Sequence, residues 1–171
     1  SEGGFNSANT IASWNWKANG AGSTNTSGSI NSTVSVNTTA GFSVVKWTGD
    51  NSSTGTIGHG LGVAPSFYVV KRLDSTDNWY GYWKPLGNTK VMYLDLTNAA
   101  SGASSNYWNN TDPTTTVFSF GAAFQSTGNY VAYCFAEKNS YLKIGKYKGN
   151  GNANGAFVYT GFKPAWFMIK S

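Results

Sequence analysis

Two stretches of this chain, one hundred residues apart, repeat one another. Lys46-Trp47-Thr48-Gly49-Asp50-Asn51, with Gly55 behind it, is matched by Lys146-Tyr147-Lys148-Gly149-Asn150-Gly151 and Gly155. After a one-residue deletion, Gly62-Val63-Ala64-Pro65-Ser66-Phe67-Tyr68-Val69-Val70-Lys71 is matched by Gly161-Phe162-Lys163-Pro164-Ala165-Trp166-Phe167-Met168-Ile169-Lys170. Each member reads as strand, glycine loop, G-x-x-P, aromatic strand, lysine. A weaker echo sets Ser13-Trp14-Asn15-Trp16 against Ala132-Tyr133-Cys134-Phe135. Self-similarity of this kind constrains the fold before any site is considered, because each repeat must be one structural unit. The chain therefore holds the end of one unit, a whole unit over about 42–137 and the start of another, and the parent polypeptide is expected to continue past Ser171. The glycine before x-x-Pro relieves a tight loop, and proline fixes φ and holds its predecessor extended. Gly62, Pro65, Gly161 and Pro164 are thus assigned to architecture.

The unit is built of strands. Phe42–Trp47 and Ser66–Lys71 are the clearest, and further runs stand at Trp79–Trp83, Lys90–Leu96, Thr116–Phe120, Tyr130–Ala136, Tyr141–Tyr147, Ala156–Tyr159 and Ala165–Ile169. All are rich in aromatic and β-branched residues and bounded by Gly, Asn, Ser and Pro. Helix is nearly absent, with one short turn expected within Leu96–Ala103. Gly, Ser, Thr and Asn fill 78 of the 171 positions while charged residues are only 11%, which excludes coiled coils and long amphipathic helices. Twenty-seven aromatics supply too much apolar area for a disordered chain. The expected fold is all-β, an antiparallel, jelly-roll-like β-sandwich with long polar loops. Residues 1–40 are expected to be an N-terminal arm or edge strand with a polar low-complexity stretch. Residues 41–171 are expected to form the sandwich module, with the repeat start at 42–72 recurring at 141–171.

Charge excludes some partners. The net charge of +5 comes from eleven lysines and the single Arg72 set against seven acids, six of the lysines lying after Glu137. Phosphate neutralisation calls for arginine forks or dense lysine runs, and neither is present, so no nucleic acid is expected. No window approaches eighteen apolar residues, so no membrane partner is expected either. The lone Cys134, in an apolar run, reads as a small buried hydrophobe.

Chemistry has little to stand on. His59, the only histidine, lies between glycines with no nucleophile or zinc motif beside it. The acids fall mostly in turns; a paired-carboxylate glycosidase would have to draw first on Asp95 and Asp112. No catalytic residue, metal or cofactor is expected. Binding has more material, because Trp79-Tyr80-Gly81-Tyr82-Trp83 packs four aromatics into five positions, and Tyr107-Trp108 stands beside amides. On a strand Trp79 and Trp83 share one face and Tyr80 and Tyr82 the other. These rings either fill a broad β core or, beside Asn and Asp, stack on sugar rings and anchor interfaces. Trp79, Trp83, Tyr107 and Trp108 are the candidate ligand-binding residues.

The run T-I-G-H-G-L-G-V-A-P-S-F-Y-V-V-K-R (56–72), Asn78-Trp79, the stretch from Leu86-Gly87 to Tyr93-Leu94, Tyr107-Trp108-Asn109 with Thr111-x-Pro113-Thr114, and Tyr130-Val-Ala-Tyr-Cys-Phe-Ala-Glu137 closely resemble a repeated domain of phage structural proteins. That domain is common in tail-associated and other virion proteins of marine phages and cyanophages. The resemblance covers most of residues 11–171, and only the lysines after Glu137 depart from it. It implies a non-enzymatic virion module, of a tail fibre or similar appendage contacting a host surface glycan or receptor. The partners it implies are other virion proteins and other copies of the chain, a homotrimer among the arrangements. A head decoration or other purely structural virion protein with no host ligand is the alternative.

Overall fold

The computed structural model describes residues 13 and 15–171. Nine strands carry the fold: β1 (Ser23–Asn25), β2 (Ser32–Asn37), β3 (Phe42–Thr48), β4 (Gly55–Gly58), β5 (Phe67–Arg72), β6 (Tyr80–Trp83), β7 (Met92–Tyr93), β8 (Val117–Phe120) and β9 (Asn129–Phe135). Seven form one antiparallel sheet in the order β1-β2-β3-β9-β5-β6-β7, and β4 pairs with β8 in a second layer. The protein is therefore all-β and antiparallel, as its aromatic runs and turn signals predict. Its layers hold seven strands and two, where a jelly roll divides its strands evenly.

Alternation along the strands sorts side chains between two faces. Inward go Val45 and Trp47 of β3, Tyr68 and Val70 of β5, Tyr82 of β6, and Tyr130, Ala132 and Cys134 of β9. They meet Ile57, Phe118 and Phe120 from the small layer, with Trp108 and Phe124 from the loops between. Phe118 lies 4.7 Å from Tyr68 and 5.8 Å from Trp47, ring to ring, so the two layers pack as a sandwich. Burial pushes up the Cys134 thiol, consistent with a packing role.

The N-terminal polar stretch belongs to this sheet. β2 pairs with β3 along five positions, and β1 forms the edge beyond it. Its Gly/Ser loop ties the small layer to β2: Ser29 and Thr56 exchange hydrogen bonds of 2.9 Å, and the Ser32 hydroxyl donates to the Gly58 carbonyl at 2.8 Å. The part of the expected arm over residues 1–12, and Trp14 of the repeat echo, lie outside the described residues.

Four expectations need correction. The strands expected at Tyr141–Tyr147, Ala156–Tyr159 and Ala165–Ile169 do not form; the strands end with β9 at Phe135. The reason is pairing, since β3 is held between β2 and β9, and β5 between β9 and β6. The repeated segment has none of those neighbours. The turn expected in Leu96–Ala103 does not form; Ser101 and Ser104 donate their backbone N–H groups to the carbonyls of Val91 and Thr89 instead. Short 3-10 turns stand elsewhere, at Lys84–Leu86 and Ala122–Phe124. Lys90–Leu96 keeps only Met92–Tyr93 as strand, and the glycine loop that the repeat places between Trp47 and Pro65 holds β4.

Candidate functional site

Three strand registers line up across the outer face of the large sheet. Trp83 of β6 pairs with Phe67 of β5, Phe67 with Phe135 of β9, and Phe135 with Phe42 of β3. Four aromatics thus stand side by side across four strands. Trp83 stacks on Phe67 at 4.2 Å, Phe67 on Phe135 at 5.4 Å, and Phe42 tilts against Phe135 at 4.9 Å. Two residues along, Gly81, Val69, Tyr133 and Val44 form the next row. Gly81 is a glycine because a β-carbon there would lie 2.9 Å from the Trp83 indole nitrogen, so the indole rests over bare backbone. The third row brings Lys71, Val131 and Lys46 together. The outer face therefore grades from aromatic to cationic along the strands.

Trp79 precedes β6 and stacks on Tyr133 with ring centres 6.3 Å apart and planes 19° from parallel. Its backbone N–H donates to Asp95 Oδ1 at 3.1 Å, and its carbonyl accepts from the Leu94 N–H. Trp79, Trp83 and Tyr133 are half-buried, whereas Phe42, Phe67 and Phe135 are buried. Part of the cover comes from Leu142 and Ile144, which pack on this cluster, and from Trp16, 5.4 Å from Phe135. A half-exposed Trp–Tyr stack beside a carboxylate can take the apolar face of a flat ring while a neighbouring oxygen accepts a hydroxyl.

The four candidate residues do not assemble into one site. Trp79 and Trp83 share the outer face, as their spacing predicts. Tyr107 and Trp108 lie on the inner side. Trp108 is fully buried, donates its indole N–H to the Lys90 carbonyl at 2.8 Å, and touches Tyr68, Tyr82 and Phe124. It is a core residue, and its ring has no face free for a ligand. Tyr107 is half-buried, its hydroxyl 3.0 Å from that of Tyr93, in a cluster with Tyr80. The Tyr80 hydroxyl donates to Asp77 Oδ1 at 2.6 Å; burial, and then that carboxylate, raise its pKa. Burial and the Tyr107 hydroxyl push Tyr93 up to about 12. Tyr80 and Tyr93 are structural phenols, protonated at neutral pH. Sequence reading passed over Tyr133, Phe67 and Phe135 as members of the outer face. Their signal was available, since Tyr133 and Phe135 alternate on one side of β9 and Phe67 begins the same side of β5.

The acids named as a first catalytic pair are held by different elements. Asp95 serves the Trp79 backbone, and Asp112 accepts the Tyr82 hydroxyl at 3.1 Å beneath the sheet. His59 is structural as well. It is fully buried, its Nε2 lies 3.2 Å from the Thr114 carbonyl, and its Nδ1 accepts the Leu61 N–H at 3.2 Å. Those two contacts require the neutral ring, with the proton on Nε2. Burial lowers its pKa below the ordinary value of 6.5, the Thr114 contact opposing that shift. Below about pH 6.5 the unfolded chain binds a proton that the folded one resists, so stability falls with falling pH. No other histidine contributes. The denaturation midpoint is therefore expected to drop between pH 7 and pH 5, with a slope of at most about 1.4 kcal/mol per pH unit. A flat profile over that window would show His59 to be solvated.

No curated protein and no solved structure matches the chain. Over residues 1–171 it matches the family model described as a domain of unknown function, DUF7483, and the chain belongs to that family.

Proposed function

We propose that this protein is a non-enzymatic structural module of a phage virion, in a tail fibre or similar appendage, and that it contacts a host surface glycan or receptor through the outer face of its large sheet. The observation that carries this reading is the half-exposed Trp79–Tyr133 stack, with Asp95 at its edge and Trp83 in the neighbouring row. Rings fixed by cross-strand pairing offer a flat surface at little entropic cost, which suits pyranose stacking. The sequence resemblance to phage structural domains supplies the setting, the particle surface. Weak single-site binding is multiplied there by the number of copies displayed. A homotrimer is the arrangement such appendages commonly take.

The test is a glycan array and host-cell adsorption assay with the intact protein, followed by Trp79→Ala and Trp83→Ala. Each is expected to weaken binding about tenfold, the loss of one interface anchor, with unchanged β-sheet circular dichroism. Binding indifferent to both substitutions would overturn the assignment. One observation favours the rival, a head decoration: Phe42, Phe67 and Phe135 in the same row are buried, as packing residues are. Electron microscopy of the whole particle separates the two, since a decoration occupies the capsid lattice and an adsorption module the tail.

A further inference from the structure

One turn of the repeat is built twice. After β3, Asp50 Oδ1 accepts the Ser52 backbone N–H at 2.9 Å, with Asn51 between them at φ 68°. One hundred residues on, Asn150 Oδ1 accepts the Asn152 backbone N–H at 3.1 Å, with Gly151 between them at φ 66°. The two turns share a left-handed middle residue and one hydrogen bond, and differ in chemistry. A carboxylate stands in the first where the second has an amide, and the residue that follows has a side chain in the first and none in the second. A β-carbon on Gly151 would meet nothing within 4 Å, so the backbone there is open. Asn150 and Gly151 are both exposed, within reach of water and hydroxide.

An asparagine amide followed by an unhindered backbone nitrogen can close on itself as a five-membered imide. The chain has three Asn-Gly pairs, Asn19-Gly20, Asn150-Gly151 and Asn154-Gly155, and hydrogen bonding distinguishes them. Attack on the side-chain carbon places negative charge on Oδ1, and a backbone N–H already aimed at that oxygen binds it more strongly as the charge develops. Asn150 has that donor in Asn152. Its other side-chain atom is held as well, since Nδ2 donates to the Asn154 carbonyl at 2.8 Å. At Asn19 and Asn154 it is the backbone that is tied. The Asn19 N–H donates to the Ser35 hydroxyl oxygen at 2.9 Å, and the Asn154 N–H to Asn152 Oδ1 at 3.0 Å.

We propose that Asn150 is a self-modifying site, deamidated through the Gly151 nitrogen to the residue type that the first turn carries at Asp50. Hydroxide takes the Gly151 amide proton, the nitrogen attacks Asn150 Cγ, and Oδ1 receives the electron pair under the Asn152 N–H. The pair returns, the Cγ–Nδ2 bond breaks, and the nitrogen leaves as ammonia with a proton from water. Water then opens the imide at either carbonyl and restores the Gly151 N–H, so that amide and water have become carboxylate and ammonium. Opening at one carbonyl gives aspartate, which keeps the turn; opening at the other gives isoaspartate, which lengthens the main chain and breaks it. The turn suits the first product, since the Ser52 N–H holds the Asp50 carboxyl below its ordinary range in the same position. Each conversion lowers by one charge a segment that holds six lysines and no acid after Glu137. The site thus records the age of the molecule, and glycan binding has no part in it.

The experiment incubates the full chain at mildly alkaline pH in water enriched in heavy oxygen and follows each Asn-Gly peptide by mass spectrometry. Conversion at Asn150 is expected to take up heavy oxygen and to run about tenfold ahead of Asn154 and Asn19, the gain when one hydrogen bond passes from a neutral to a charged oxygen. Its rate is expected to rise in proportion to hydroxide. Unfolding in guanidinium chloride removes the turn and is expected to bring the rates together. Asn152→Pro, which takes away the donated N–H, is expected to slow Asn150 to the rate of Asn154 in the parent chain. Gly151→Ala is expected to suppress conversion at Asn150 and leave Asn19 unchanged. Equal rates at the Asn-Gly pairs of the folded chain overturn the proposal, as does a rate at Asn150 that unfolding leaves the same or raises. So does an Asn152→Pro protein that converts as fast as its parent, since the turn then contributes nothing.

Discussion

Trp108→Ala is expected to lower the free energy of unfolding by about 3–5 kcal/mol, the range for truncating a large buried aromatic. Such a loss removes much of the stability of a small domain. The cavity would open where the two layers meet, among Tyr68, Tyr82 and Phe124, and the Lys90 carbonyl would lose its donor. Trp108→Phe separates these contributions: it keeps most of the packing and orphans the carbonyl, at an expected cost of about 1–3 kcal/mol. Urea unfolding of both variants measures this directly. A Trp108→Ala protein as stable as the parent would mean that the ring is not in the core. The same experiment separates the inner tryptophan from Trp79, whose loss should touch binding far more than stability.

A second large effect is expected at Gly49, and its interest lies in a built-in control. Gly49 closes β3 by donating its N–H to the Gly128 carbonyl at 2.9 Å, and a β-carbon there would lie 1.9 Å from the Ser126 carbonyl oxygen. Backbone must move to admit it, so Gly49→Ala is expected to cost about 3 kcal/mol. Gly149 is the same residue of the repeat and has nothing within 4 Å of a β-carbon. Gly149→Ala is expected to change stability by less than about 0.5 kcal/mol. Equal effects at the two positions would mean that the tail is already folded as a unit.

The same comparison tells which parts of the structure were legible in the sequence. The turn before each x-x-Pro was legible, because its cause is local: Gly62 and Gly161 both adopt left-handed backbone, φ 72° and 81°, although only the first is followed by a strand. The strands of the body were legible from their aromatic and branched runs. Those of the tail were not, since a strand is a property of its neighbours, and Tyr141–Tyr147 reads much like Phe42–Trp47 until one asks what lies beside it. β4 was hidden for the opposite reason. Two of its four residues are glycines, and it is a strand because β8 pairs with it along its whole length. The binding residues were half legible. Alternation placed Trp79 and Trp83 together, but nothing in Tyr107-Trp108 tells that a loop carries the indole between two layers.

The place of β9 in the sheet bears on how the molecule responds to tension. β9 is the last strand in sequence and lies between β3 and β5, antiparallel to both. A pull applied along the strand, through the residues that follow it, loads the ladders on both flanks in shear together. An edge strand under the same pull is held by one ladder only. The rings of Phe42, Phe135 and Phe67 straddle both flanking ladders at the end where such a load enters. Forced unfolding is governed by the unfolding rate rather than by equilibrium stability. The chain is thus joined to its tail at the strand whose extraction must break the most structure in a single step.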